Sequence, residues 1–123
     1  MRLRVMRATI WHNPACGTSR STLAILEGTA GIELTVIEYL NDPPTREKLV
    51  QLHRDAGLTH RQGMRTTNSP AAELVAELNL KDADEATILD AMMAHRALIQ
   101  RPLVETDKGV RLCRPPETVH EIL

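Results

Sequence analysis

Residues 8–31 constrain the fold more tightly than any other stretch of this chain. A short apolar run, Ala8 to Trp11, gives way at His12-Asn13-Pro14-Ala15-Cys16-Gly17 to spaced aliphatic residues, Leu23, Ile25, Leu26 and Ala30, with Gly28 and Gly31 as stop signals. Pro14 removes a backbone donor and Gly17 relaxes the chain, so the segment reads as strand, tight loop, helix. Leu34 to Tyr39 supplies a second strand, ended by Asn41-Asp42-Pro43-Pro44. Two strands joined through a helix pair parallel with a right-handed crossover, so the N-terminal third is expected to be a β-α-β unit.

The middle of the chain is helical by its punctuation. Thr45 is an N-cap for a helix with Leu49, Leu52, His53 and Ala56 on one side, closed by Gly57. Ser69-Pro70 opens a second helix that buries Leu74, Val75 and Leu78, with Pro70 at the first helical position. Asp84 caps a third, whose core stripe is Ile88, Leu89, Met92 and Met93. After Pro102 the pattern becomes Leu103–Thr106, a turn at Asp107-Lys108-Gly109, then Val110–Cys113, which is a β-hairpin. Val119, Ile122 and Leu123 mark a last amphipathic turn. The expectation is an α/β fold with a mixed sheet in the order β-α-β, helical insertion over about 45–95, β-β-α, which is the chain order of a thioredoxin-like fold. Residues 1–7 read as an N-terminal extension and 8–123 as one domain.

Composition excludes several function classes. The 15 Lys and Arg balance 16 Asp and Glu, a formal charge of −1, so nothing draws the whole molecule to nucleic acid or anionic lipid. Trp11 and Tyr39 are the only aromatics, which leaves no stacking platform for single strands. No apolar stretch approaches the roughly 20 residues that span a bilayer, and Arg4 and Arg7 interrupt the N-terminal candidate for a signal. The expected setting is cytoplasmic, without membrane or nucleic-acid partners. Two cysteines make no disulfide scaffold, and the five histidines show no zinc spacing, so no metal site is expected. No apolar stripe stands apart from the core pattern, and the chain is expected to be a monomer.

Chemistry concentrates at Cys16. At the change from strand to helix its sulfur faces unpaired N–H groups and the positive end of the helix dipole, which favour the thiolate. His12, four residues earlier, is placed to add positive charge. A phosphatase-type loop requires arginine six positions after the cysteine, but Thr22 stands there, and Val119 stands six beyond Cys113. A dithiol couple requires a cysteine at position 19, which is Ser19. Cys16 therefore works as a single thiol resolved by an outside one. Cys113, beside Leu112 in a strand pattern, reads as core packing. Arg20 reads as a local ion pair or a solvated residue, and His53, His60, His95 and His120 as ordinary surface or half-buried side chains.

Four segments together carry a family resemblance: His12-Asn13-Pro14-Ala15-Cys16-Gly17-Thr18-Ser19-Arg20, Glu38-Tyr39-Leu40 to Pro43-Pro44-Thr45-Arg46, Gln100-Arg101-Pro102-Leu103-Val104, and Arg111-Leu112-Cys113-Arg114-Pro115. From about residue 8 onward the chain resembles the glutaredoxin-coupled arsenate reductases. The resemblance implies a thioredoxin-like fold and reduction of arsenate to arsenite with glutathione as co-substrate, glutaredoxin as partner and no bound cofactor. It assigns the nucleophile to Cys16, the oxyanion-binding arginines to Arg65, Arg101 and Arg114, the histidine that lowers the thiol pKa to His12, and a cis proline to Pro102. Two other readings remain beside it: a glutathione-dependent thiol reductase with another substrate, and a regulatory adaptor of the same fold. Adaptors of that kind commonly carry a CxxC switch, which Ser19 breaks.

Overall fold

The computed structural model describes residues 5–123; of the expected N-terminal extension, residues 1–4 lie outside the described part. Strand β1 spans Met6–His12, so Met6 and Arg7 belong to the sheet rather than to an extension. Helix α1 spans Gly17–Glu27 and β2 spans Ile32–Glu38. Helices α2 (Arg46–Asp55), α3 (Ala71–Glu77) and α4 (Glu85–Ala94) follow, then a 3-10 turn at Arg96–Leu98. Strands β3 (Leu103–Thr106) and β4 (Gly109–Leu112) and a 3-10 helix at Pro116–Ile122 complete the order.

The sheet is mixed, in the order β2-β1-β3-β4. β1 runs parallel to β2, with Met6 opposite Ile32 and His12 opposite Glu38, and antiparallel to β3, with Ala8 opposite Thr106 and Trp11 opposite Leu103. β3 and β4 form the expected hairpin, Leu103 opposite Leu112 and Thr106 opposite Gly109. Gly109 takes a positive φ of 142°, and the Thr106 hydroxyl accepts from the Lys108 N–H at 3.0 Å, which fixes the two-residue turn.

Two compact units result. The first comprises the chain up to Asp42 and again from Arg101 to Leu123; the second comprises Pro43–Gln100. The core of the first joins Ala8 and Ile10 of β1, Leu26 of α1, Val104 of β3, Cys113, Val119 and Ile122. Its α1 helix buries Ser19, Thr22 and Leu26, a stripe at three- and four-residue spacing, while Leu23 and Ile25 are only partly covered. The aliphatic pattern alone had pointed to Leu23, Ile25 and Leu26. Thr22 belongs to the buried stripe because its hydroxyl bonds back to the Thr18 carbonyl at 2.9 Å.

In the second unit the two caps form as their residue types require. Thr45 Oγ1 accepts from Lys48 N at 3.2 Å, and Asp84 Oδ1 from Thr87 N at 2.8 Å. Helix α3 departs from expectation: Pro70 is its N-cap rather than its first residue, Leu74 and Val75 are half-buried, and Leu78 is 39% exposed. The helix ends at Glu77, and Asn79, at φ 56°, turns the chain so that Leu80 is buried instead. Met92 lies in the core while Met93 is only partly covered.

Candidate active site

Cys16 is the N-cap residue of α1, at φ −97° and ψ 122°. Three local bonds set it there. The Asn13 side-chain carbonyl accepts from Ala15 N at 3.0 Å, the Asn13 backbone carbonyl accepts from Cys16 N at 3.0 Å, and the Cys16 carbonyl accepts from Arg20 N at 3.0 Å. Arg20 makes no ion pair among the described residues; its guanidinium donates to the Pro14 carbonyl at 2.8 Å and holds the outer side of the loop. Asn13 also donates to the buried Tyr39 hydroxyl at 3.4 Å, which ties the loop to the residue following β2.

Cys16 is 7% exposed. Burial alone pushes its pKa up, yet the net displacement is downward from the ordinary thiol value. The Ser19 N–H, the Arg114 guanidinium, the charge of Arg101 and the Thr18 N–H together outweigh desolvation. The neutral thiol makes no capping hydrogen bond, but it occupies the place of a capping side chain, so ionisation meets N–H groups already aimed at it. Arg114 Nη1 lies 3.7 Å from Cys16 Sγ and donates to the Arg101 carbonyl at 3.0 Å. Arg101 is buried and precedes Pro102 across a cis peptide, the geometry that the resemblance implies; Arg114–Pro115 is cis as well. The Pro102 carbonyl accepts from Cys113 N at 2.9 Å, joining the two arginine-proline segments.

His12 differs from the expected cation. Its ring is buried, and desolvation is the largest influence on its pKa, which lies below the ordinary value; Arg20 adds to that lowering, while Glu38 and Glu27 oppose it. Its Nδ1 meets Ser19 Oγ at 2.6 Å. Arg65 belongs to the second unit. It is half-buried there, its N–H donates to the Leu98 carbonyl at 2.8 Å and its Nε to the Thr67 carbonyl at 3.2 Å, beside a bridge between Met64 and Ile99. Cys16, His12, Arg101, Pro102 and Arg114 all lie in the first unit.

Sequence reasoning passed over Ser19, reading it only as the place where a second redox cysteine is missing. Its signal was available: a serine three residues after an N-cap, in a helix whose other polar face is solvated. The sequence also gave no partner to His53 and His60, whose Nδ1 atoms lie 2.8 Å apart. Cys113 is fully buried, and desolvation first, then Glu121, pushes its thiol up to about 12. Among the described residues no group of three or more His, Cys, Asp or Glu side chains is arranged to hold a metal ion, and no helix is long and apolar enough to cross a membrane.

A mixed α/β sheet of thioredoxin-like type, with a cysteine of lowered pKa at a helix N-terminus and a guanidinium beside its sulfur, defines a thioredoxin-like oxidoreductase. Residues 11–122 match the model of the ArsC family, and the chain belongs to that family. It is 51% identical over 118 residues to the arsenate reductase of Rhizobium meliloti (strain 1021), covering 96% of this chain and 82% of that protein. The arsenate reductase of Escherichia coli (strain K12) is 48% identical over 116 residues, 94% of this chain and 79% of that one. Among solved structures, an arsenate reductase from Vibrio cholerae superposes with a TM-score of 0.85 at 41% identity, covering 98% of this chain and all of that one.

Proposed function

We propose that the protein reduces arsenate to arsenite, with Cys16 as nucleophile and cellular thiols as the electron source. The observation that carries the reading is the Cys16 sulfur at the start of α1 with Arg114 Nη1 3.7 Å away and Arg101 lowering its pKa. Relatives named as arsenate reductases, at about half identity over most of the chain, supply the substrate.

Near neutral pH arsenate is a tetrahedral anion, so thiolate attack on arsenic brings like charges together. Arg101 and Arg114 offset that repulsion and bind the charge that develops on the oxygens. A sulfur–arsenic bond forms as one arsenate oxygen leaves as water, its protons taken from solvent. Glutathione displaces a second oxygen in the same way. A glutaredoxin thiolate then attacks the glutathione sulfur, and the pair of the breaking arsenic–sulfur bond stays on arsenic, which passes from the +5 to the +3 state. The glutaredoxin–glutathione disulfide carries the oxidation away, and water releases arsenite and restores the Cys16 thiol. Support for an outside thiol comes from Ser19 at the dithiol position and from Cys113, buried and pushed up to about 12. In this reading the protein acts as a monomer in the cytoplasm, where reduced glutathione is abundant, and it holds no bound cofactor.

The test is arsenate-dependent NADPH oxidation with glutathione, glutathione reductase and a glutaredoxin. The wild type is expected to turn over and Cys16→Ser to be inactive. Arg101→Ala and Arg114→Ala each lose on the order of 10²–10³-fold in kcat. Arg65→Ala, which removes the third arginine the family resemblance assigns, raises KM for arsenate. A wild type that does not turn over, yet whose Cys16 is alkylated quickly at pH 6, would mean that the activated thiol serves another substrate.

A further inference from the structure

The turn that follows α2 is pinned around a pair of histidines. Thr59 N donates to Gln62 Oε1 at 2.9 Å and Gln62 N to Thr59 Oγ1 at 3.1 Å, a reciprocal pair that closes residues 59–62 on themselves. Glu85, at the start of α4, accepts from the His60 and Arg61 N–H groups at 2.6 and 3.2 Å, and the Arg61 guanidinium donates to the carbonyls of Leu80, Lys81 and Ala83. On the α2 side, His60 Nδ1 lies 2.8 Å from Nδ1 of the buried His53, whose Nε2 faces Gly63 and has no hydrogen-bond partner among the described residues. The same turn runs straight into Arg65: Gln100 N donates to the Gly63 carbonyl at 2.9 Å, and Arg65 N to the Leu98 carbonyl at 2.8 Å.

We infer that His53 and His60 are positioning residues for Arg65: a single proton held between their Nδ1 atoms latches the turn to α2, and a second proton on the pair releases it. The inference rests on the reductase reading for the part Arg65 plays in binding arsenate. Two imidazole nitrogens 2.8 Å apart need one N–H and one lone pair between them. The buried Nε2 settles which ring donates, because a proton there would be a donor without an acceptor. His53 therefore carries its proton on Nδ1 and donates, while His60 accepts at Nδ1 and keeps its own proton on Nε2. A second proton has two places to go, and both undo the latch. On His60 Nδ1 it removes the acceptor and sets two N–H groups face to face; on His53 Nε2 it buries a cation against Gly63. Burial is the first influence against charging His53 and the His60 ring the second, while Glu85 favours it. Arg54 and Asp55, which follow His53 on α2, pair with each other at 3.2 Å, and the Arg61 guanidinium is taken up by its three carbonyls.

The readouts are amide hydrogen exchange at Arg65 and Gln100, corrected for the intrinsic rate, and the split of KM from kcat for arsenate. At pH 7.5, His60→Ala is expected to speed exchange of both amides and to raise KM, each about three- to tenfold at nearly unchanged kcat, the size of one lost hydrogen bond. His60→Asn, whose amide oxygen reaches the place of Nδ1 and does not titrate, is expected to keep wild-type values. As pH falls from 7.5 to 5 the wild type is expected to approach His60→Ala while His60→Asn holds; comparing variants at each pH cancels the ionisation of arsenate itself. Unmoved amides in folded His60→Ala would overturn the inference, as would parallel pH profiles for wild type and His60→Asn, or an unmoved KM in His60→Ala where Arg65→Ala raises it. Exchange needs no arsenate, so if Arg65→Ala leaves KM unchanged, the part given to Arg65 in the reductase reading fails and the amides alone decide the latch. Should His60→Ala not fold, the ring nitrogen chemical shifts of the wild type at pH 7.5 decide: protons on His53 Nδ1 and His60 Nε2 support the inference, and any other arrangement overturns it.

Discussion

Two cysteines in one small chain show how little the thiol itself decides. Burial raises the pKa of both. Around Cys16 two N–H groups and two guanidiniums reverse that effect, whereas around Cys113 burial and Glu121 act together and Arg111 opposes them only in part. Cys113 is therefore inert at neutral pH and serves as an apolar side chain within the cluster of Ala8, Ile10, Leu26 and Val104. Cys113→Ala is expected to leave turnover and Cys16 alkylation unchanged and to lower unfolding stability by about 1–2 kcal/mol through lost packing, read by urea titration. A loss of turnover in that variant at wild-type stability would give Cys113 a chemical part instead. The contrast was largely legible in the residues, because a polar loop and an apolar strand neighbour are local facts. The state of His12 was not: its spacing from Cys16 announced proximity, but the lowering of its pKa comes first from burial, which the fold alone supplies.

Elements were readable where a single side chain closes its own backbone. Thr45 and Asp84 start their helices as expected, since an N-cap needs only a neighbour three residues on. Reading failed where a backbone reversal redirects the apolar positions. Asn79 does this at the end of α3, and no periodicity from Leu74 to Leu78 could show that Leu80 would take the buried place. The loop after α2 is a further case. Gly63 lies so close to the buried His53 ring that a Cβ built on it would run into Nε2. The ring cannot swing away easily, because its Nδ1 pairs with His60 and it is 1% exposed. Gly63→Ala is therefore expected to destabilise the protein by about 1–3 kcal/mol. In contrast, alanine at Gly57, where nothing lies within 4 Å, meets only its positive φ of 73°. Equal melting temperatures for wild type and Gly63→Ala would show that the ring has room to move.

At the scale of the molecule, the helical block Pro43–Gln100 forms a compact unit of its own, and the sheet unit is assembled from the segments on either side of it in sequence. The block carries the strongest acid sensitivity. Burial, helped by the neighbouring His60 and opposed by Glu85, lowers the His53 pKa from 6.5 to about 4. Since the folded pKa lies below the unfolded one, the unfolded chain binds the extra proton between those values. Stability is then intact above pH 6.5 and falls as pH drops toward 4, by about 3 kcal/mol over the whole window. Urea midpoints measured between pH 6.5 and 5, above the carboxylate range, are expected to decline steeply for wild type and less for His53→Gln. Coincident slopes would show that His53 does not titrate in that window.

The sealed second cysteine has a consequence for a cell short of thiols. In the proposed cycle, a protein whose one reactive sulfur has no internal partner cannot finish alone, so a molecule that met arsenate without an outside thiol would halt with arsenic attached. Under thiol starvation the proposed cycle would turn the same chain from a catalyst into a sponge, holding arsenic in proportion to its own abundance. Detoxification would then be limited by how much protein the cell makes rather than by how fast it works.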